Sequence, residues 1–227
     1  MTRRKQSRGK CAYCGKEMAK GLILKHLSTC SQRQKVISES EHGSDMKQHL
    51  YHLRVEDTPS GDYWLDLEMR GSGRLKDLDN YLRAIWLECC GHMSRFSFGG
   101  WDSKDLAMKT QADRIFEPGV ELTHIYDFGT SSETLIKVIG AREGKATTSH
   151  PISLMARNLP PEAKCVECEK PASWLCIECM YEEDSPGLLC DEHVQGHPHD
   201  NYGEPMPLVN SPRTGMCGYT GPAEPPY

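Results

Sequence analysis

From Tyr51 the chain alternates: Tyr51, Leu53 and Val55 face one way and His52, Arg54 and Glu56 the other, and Tyr63, Leu65, Leu67 and Met69 then alternate with Asp66, Glu68 and Arg70. A period of two predicts half-buried strands, and Asp57-Thr-Pro-Ser-Gly61 between the two runs has the composition of a hairpin turn. From Leu75 the period changes. Leu78, Leu82, Ile85, Trp86 and Cys89 recur at three and four residues, which places them on one helical face, with Gly91 positioned to end the helix in a left-handed conformation. Arg95 to Phe98, Val120 to Phe128 and Thr134 to Ile139 predict further strands. The expectation is an α+β core, a small antiparallel sheet with packed helices, over residues 46–140.

The flanks carry another pattern. Residues 1–35 hold a basic arm and a cysteine pair, and the polar stretch Ser31 to Lys47 reads as a linker, drawn most narrowly as 36–45. Residues 141–164 read as a connector whose short apolar run, Ile152 to Met155, packs partly on the core. Residues 165–204 are dense in cysteine and histidine. Residues 205–227, rich in proline and glycine, gain little by burial and are expected to be irregular.

Eleven cysteines in 227 residues change the picture most. No apolar run approaches the roughly 20 residues that span a bilayer, and the basic N-terminus has no apolar stretch behind it, so neither a membrane helix nor a signal peptide is expected. A cytoplasmic setting follows, in which thiols at C-x2-C and C-x2-H spacing are metal ligands rather than disulfides.

At the N-terminus Cys11-Ala-Tyr-Cys14 is followed after eleven residues by His26-Leu-Ser-Thr-Cys30. A C-x2-C knuckle presents two thiolates from a tight turn, and ligands four apart share one side of a helix, so Cys11, Cys14, His26 and Cys30 can close tetrahedrally around zinc. Leu22, Ile23 and Leu27 are the expected core of this C2HC-type finger.

At the C-terminus Cys165, Cys168, Cys176, Cys179, Cys190, His193, His197 and His199 place eight candidate ligands within 35 residues, enough for two zinc ions. Only seven residues separate the first two knuckles, which favours an interleaved pairing: Cys165, Cys168, Cys190 and His193 on one ion, and Cys176, Cys179, His197 and His199 on the other. Ligand order and first spacings resemble B-box-type zinc domains, a class that usually mediates protein contacts. His197-Pro-His199 is tighter than the usual final pair, which leaves Asp200 or Cys217 as alternatives to His199. Asp191, Glu192 and Asp200 beside these histidines also suit a hydrolytic centre, but the thiolates suffice to close both sites, which favours structural zinc over catalysis.

Charge separates the two ends. Residues 1–35 carry ten Lys/Arg against Glu17 alone, whereas residues 162–227 carry three against twelve acids, within a net charge of -5. The basic end suits phosphate and the acidic end disfavours it. Arg3, Arg4, Lys5, Arg8 and Lys10 are the candidate nucleic-acid contacts, and the acidic module is the candidate protein contact.

The stretch from Leu78 to Phe96, containing Trp86-Leu-Glu-Cys-Cys-Gly-His92, together with Tyr126-Asp-Phe-Gly129, resembles the plasmid pRiA4b Orf-three-like domain family over roughly residues 46–140. Asn210-Ser-Pro-Arg213 and Cys217-Gly-Tyr219 are similar to the tails of its longer members. The resemblance implies a bacterial α+β protein associated with plasmids or mobile elements, with flanking zinc segments and no settled biochemical role. Many relatives follow Tyr-Asp-Phe-Gly with an acidic residue, a tryptophan and a histidine; here Thr130, Ser132 and Thr134 stand instead, so a site built on those side chains is not expected. His92 matches the family's histidine, and with Cys89 and Cys90 it is a candidate third metal or thiol site. Against that, cysteines at a helix end are more often buried small hydrophobes, and His124, inside an apolar strand pattern, reads as a hydrogen-bonded core histidine.

No nucleophile elbow, P-loop or HExxH motif is present, and Gly71-Ser-Gly73 is too short to cradle a nucleotide. The sequence therefore predicts a non-enzymatic protein with three zinc ions that links nucleic acid to a protein partner. The alternatives are a protein-only adaptor or a metal-dependent enzyme of mobile-element biology.

Overall fold

The computed structural model describes residues 7–58 and 60–227. Arg3, Arg4 and Lys5 lie outside the described residues. The chain begins with β1 (Arg8–Cys11), β2 (Glu17–Ala19), α1 (Lys20–Thr29) and α2 (Ser31–Ser40). It continues through β3 (Gln48–Asp57), β4 (Trp64–Arg70), α3 (Leu75–Leu82), β5 (Ser94–Ser97), β6 (Glu121–Tyr126), β7 (Ser132–Gly144) and β8 (Ile152–Asn158). Among the described residues, the strands named so far form one eight-stranded antiparallel sheet in the order β2-β1-β8-β4-β3-β7-β6-β5.

The alternating segments become β3 and β4, paired from Leu50↔Arg70 to Glu56↔Trp64. Their turn is closed by Asp57, whose carboxylate accepts from the Ser60 and Tyr63 amides at 3.0 and 2.9 Å. One sheet face buries Leu53, Val55, Leu65, Leu67, Ile136 and Val138 against Leu75, Leu78, Leu82, Ile85 and Trp86. Helix α3 starts where the Asp77 carboxylate accepts from the Arg74 amide at 2.7 Å, satisfying one of the N-terminal donors that a helix leaves open. It runs on as a π-helical turn, Arg83–Leu87. Gly91 does take a left-handed φ of 73°, but the helix has already ended at Leu87, so the glycine shapes the following loop.

The sheet is larger than the small sheet expected from sequence, because both flanks contribute to it. The segment read as a connector, 141–164, holds the end of β7 and all of β8, which pairs with β4 on one side and β1 on the other. The polar stretch read as a linker forms α2, with no fully buried residue. It is fastened by polar contacts: Arg33 reaches Glu68 at 3.5 Å, and Glu41 accepts from the Lys145 amide at 3.0 Å.

The N-terminal Cys/His segment, expected as a finger, is part of the sheet rather than an appendage. Ile23 and Leu27 are buried as expected, but Leu22 is exposed, and the remaining core is supplied by Trp64, Met155 and Ala156 from the sheet. Gly9 permits the approach: a Cβ there would lie 2.2 Å from Trp64 Cη2 and 2.5 Å from the Arg157 carbonyl oxygen.

The C-terminal part adds β9 (Trp174–Leu175), α4 (Ile177–Glu182), β10 (Leu188–Leu189) and β11 (Met206–Pro207), with the strands in the order β10-β9-β11. Because β11 pairs with β9, this unit runs past residue 204. The tail is irregular but not left in solvent. Ser211, Arg213, Tyr219 and Ala223 are buried, Asn210 exchanges hydrogen bonds with Asn158 at 2.7 and 3.0 Å, and Ser211 Oγ donates to the Trp86 carbonyl at 2.6 Å. The tail's polar side chains meet polar partners on the domain, which a composition argument about apolar burial does not register.

Candidate metal centres

All eleven cysteines are free thiols, and the twelve predicted ligands gather in three clusters of four. A tetrahedron with metal–ligand bonds of about 2.0 to 2.3 Å has edges of roughly 3.3 to 3.8 Å, the scale on which a closed zinc site is recognised.

The first cluster gathers Cys11 at the end of β1, Cys14 three residues on, His26 in α1 and Cys30 just past it, with all four ligand atoms within 4.8 Å of one another. Cys14 Sγ lies 3.3 Å from His26 Nε2. The knuckle is shaped by the backbone, with the Cys11 amide donating to the Lys16 carbonyl at 3.0 Å and the Gly15 amide returning to the Cys11 carbonyl at 2.9 Å. Cys11 is buried, and without a cation burial pushes its thiol up to about 11. A divalent ion would supply the charge that lets such thiols ionise.

The C-terminal ligands divide as the interleaved reading expects. One cluster is Cys165, Cys168, Cys190 and His193; the other is Cys176, Cys179, His197 and His199. In the first, Cys165 Sγ is 3.3 Å from His193 Nδ1, Cys168 Sγ is 3.7 Å from Cys190 Sγ, and Cys190 Sγ is 3.6 Å from His193 Nδ1. In the second, Cys179 Sγ is 3.4 Å from His197 Nε2 and 3.1 Å from His199 Nδ1, and Cys176 Sγ is 3.8 Å from His199 Nδ1. Sheet β10-β9 explains the crossing: Leu188↔Leu175 and Leu189↔Trp174 bring the chain before Cys190 beside the chain before Cys176. Each early knuckle thereby meets a late pair.

His199 groups with Cys176, Cys179 and His197, whereas Cys217 lies elsewhere, beside His92 and Asp127. The second nitrogen of His199, Nε2, sits 3.3 Å from Glu183 Oε1, the kind of outer carboxylate that fixes the orientation of a metal-binding imidazole. Burial raises the Cys179 thiol to about 12. At Cys165 burial acts in the same direction, but the bond to His193 and the amides of Glu167, Cys190 and Cys168 outweigh it and bring the thiol down to about 6. The neighbouring carboxylates are engaged away from the ligands: Asp191 accepts from Trp174 Nε1 at 2.8 Å and Glu192 binds Lys170 at 2.7 Å.

Of the candidate nucleic-acid contacts, Arg8 and Lys10 lie in β1 with exposed side chains on one side of the strand, separated by buried Gly9, and Lys16 and Lys25 are exposed nearby. Lys20 and Arg33 face the sheet instead, paired with Glu56 at 3.1 Å and Glu68 at 3.5 Å.

His124 is the core histidine expected from the pattern. It is fully buried and its Nε2 bonds Asp79 Oδ1 at 3.0 Å. A group that sequence reasoning did not assemble surrounds Arg213, which is also fully buried. Its guanidinium donates to Asp127 Oδ2 at 2.6 Å, the Thr130 carbonyl at 2.9 Å, Ser132 Oγ at 3.0 Å and Cys89 Sγ at 3.3 Å, and lies 4.9 Å over the Tyr126 ring. The signals were present as Tyr126-Asp-Phe-Gly129 and Asn210-Ser-Pro-Arg213, but nothing local links stretches 86 residues apart.

No family model matches this chain, and no curated protein does. A solved structure described as protein of unknown function MM3350 from Methanosarcina mazei Go1 is similar over 47% of this chain and 68% of its own, at 15% identity and a TM-score of 0.40. At that score the likeness carries no argument, and the chemistry of this protein rests on its own Cys/His clusters, three of which can each hold a metal ion through four ligands.

Proposed function

We propose that the chain is a three-zinc, non-enzymatic interaction protein. Cys11, Cys14, His26 and Cys30 hold one ion, Cys165, Cys168, Cys190 and His193 the second, and Cys176, Cys179, His197 and His199 the third. The observation that carries this reading is the separation of twelve ligands into three groups of four, each with at least two thiols and with sulfur and nitrogen contacts close to tetrahedral edges. Zinc suits this donor set: thiolate and imidazole without a supporting oxygen ligand disfavour magnesium and calcium. Four protein ligands leave no position for a substrate, so the ions are structural. In this reading they fix a basic surface at one end and an acidic B-box-like module at the other.

The basic surface, Arg8, Lys10, Lys16 and Lys25, contacts nucleic acid through phosphate, and the C-terminal module contacts a protein. The resemblance of Leu78 to Phe96 and of Tyr126 to Gly129 to the pRiA4b Orf-three-like family is the ground for proposing that this activity belongs among plasmids or mobile elements of bacteria. Titration of the full chain with duplex and single-stranded nucleic acid tests the first contact: binding should weaken steeply as salt rises through counterion release. Absence of a salt-sensitive shift at low ionic strength would replace it with the protein-only adaptor. One observation favours that second reading. Lys20 and Arg33 are spent on ion pairs with the protein's own sheet, which lowers the charge offered to phosphate.

A further inference from the structure

Five more side chains with metal-binding atoms meet where the end of α3, the turn between β6 and β7, and the tail converge. His92, Asp127 and Cys217 come from three separate segments, yet their ligand atoms all lie within 4.8 Å of one another, and His92 forms a second such group with Cys89 and Cys90. His92 Nε2 stands 3.6 Å from Asp127 Oδ2, and Cys217 Sγ lies 4.0 Å from the same oxygen. These spacings are close to the edges of a tetrahedral site.

Two further observations point to a missing ligand. His92 Nε2 is buried and has no hydrogen-bond partner, an unfavourable condition when nothing satisfies the atom. Asp127 and Cys217 both hold left-handed backbone conformations, with φ of 65° and 51°, which is unfavourable for a residue such as cysteine and persists where the surroundings impose it. Charge is also accommodated. Arg213 and Asp127 already neutralise one another through their 2.6 Å contact, so a divalent cation with two thiolates adds no net charge to the site.

We propose that this junction is a fourth metal site, taking a zinc-type divalent cation on His92, Asp127 and Cys217, with the Cys90 thiol, which groups with His92 but lies outside the His92, Asp127 and Cys217 set, moving in as the fourth ligand. Cys90 is preferred to Cys89 because Cys89 Sγ accepts from Arg213 Nε at 3.3 Å and lies 3.8 Å from the Tyr126 hydroxyl, whereas Cys90 is exposed; Arg213 Nη2 also reaches Cys217 Sγ, at the longer distance of 3.6 Å. A mixed nitrogen, oxygen and sulfur set selects zinc over magnesium or calcium. With Cys90 and Cys217 both exposed, this ion exchanges more readily than those of the three closed clusters. It ties the tail to the end of α3.

The test is metal release from the full-length, zinc-reconstituted protein to a chromophoric chelator, with native mass spectrometry counting the ions. One ion should leave ahead of the rest. That fast phase should vanish in Cys217→Ser and in His92→Ala, and Cys90→Ser, an exposed substitution with little reach into the fold, should speed it by about tenfold or more. Cys14→Ser should change only the slow phase, so failure of the three-ion reading and failure of this site give different records. A wild-type protein whose ion count and release kinetics match those of both Cys217→Ser and Cys90→Ser overturns the proposal and leaves Arg213 as the cation of the cluster.

Discussion

Arg213, in the irregular stretch after β11, donates from its guanidinium to Asp127 Oδ2 at 2.6 Å, and both side chains are buried. Removing one partner of such a pair leaves the other charge desolvated and alone, which typically costs about 3–5 kcal/mol. Arg213→Ala should lower stability by that order in urea denaturation. Combining it with Asp127→Asn should recover part of the loss. A change under about 1 kcal/mol for Arg213→Ala would show that the tail packs without this contact.

In the proposed three-zinc reading, the interleaved Cys/His sets make the two C-terminal ions interdependent. Removing a thiolate from a closed site releases the ion and the structure it organises. Cys165→Ser should therefore lose one ion and disturb the Cys176, Cys179, His197 and His199 set as well, because β9 and β10 join the two. Cys14→Ser should lose one ion and leave the C-terminal module intact. Cadmium-113 NMR reads which ligands share a metal. Cys165, Cys168, Cys176 and Cys179 on a single ion would reject the crossing.

Docking of the finger depends on Gly9. A methyl group there meets the Trp64 ring and the Arg157 carbonyl well inside van der Waals contact, and overpacking of this kind costs about 1–3 kcal/mol. Gly9→Ala should expose the Trp64 indole and raise amide exchange in β1 and β8 while the zinc count stays unchanged. Unaltered exchange in β8 would argue that the finger is held by other contacts.

Acid should destabilise the central sheet through Asp79 and His124. Burial alone would raise the Asp79 carboxyl, but hydrogen bonds from His124, Lys76 and Ser94 hold it well below the usual carboxylate range. Burial depresses His124 below 6.5, opposed by its bond to Asp79. Both groups bind protons more readily in the unfolded chain, so their contribution is complete at neutral pH. It falls first as pH drops below about 6.5, the unfolded histidine value, and again below about 3.9, the unfolded aspartate value. His124→Gln, which keeps a donor to Asp79, should abolish the first step while every metal ligand remains. Identical pH profiles for the two proteins would remove His124 from the account.

The sequence by itself determined whatever depends on neighbours along the chain. The period-two runs are β3 and β4, the three-and-four spacing buries Leu78, Leu82, Ile85 and Trp86, and the ligand pairs two to four residues apart meet because turns and helices bring them together at fixed distances. Tertiary structure decided the rest, for distinct reasons. Ile152 to Met155 becomes a strand between β4 and β1 because those partners leave open amides on both sides, a property of the sheet and not of the four residues. Ser31–Ser40 is helical with no fully buried side chain because Arg33 and Glu41 find partners at Glu68 and Lys145. Arg213 can be buried only where Asp127, Thr130 and Ser132 supply its acceptors, and satisfying a buried charge is a long-range condition that no local pattern encodes.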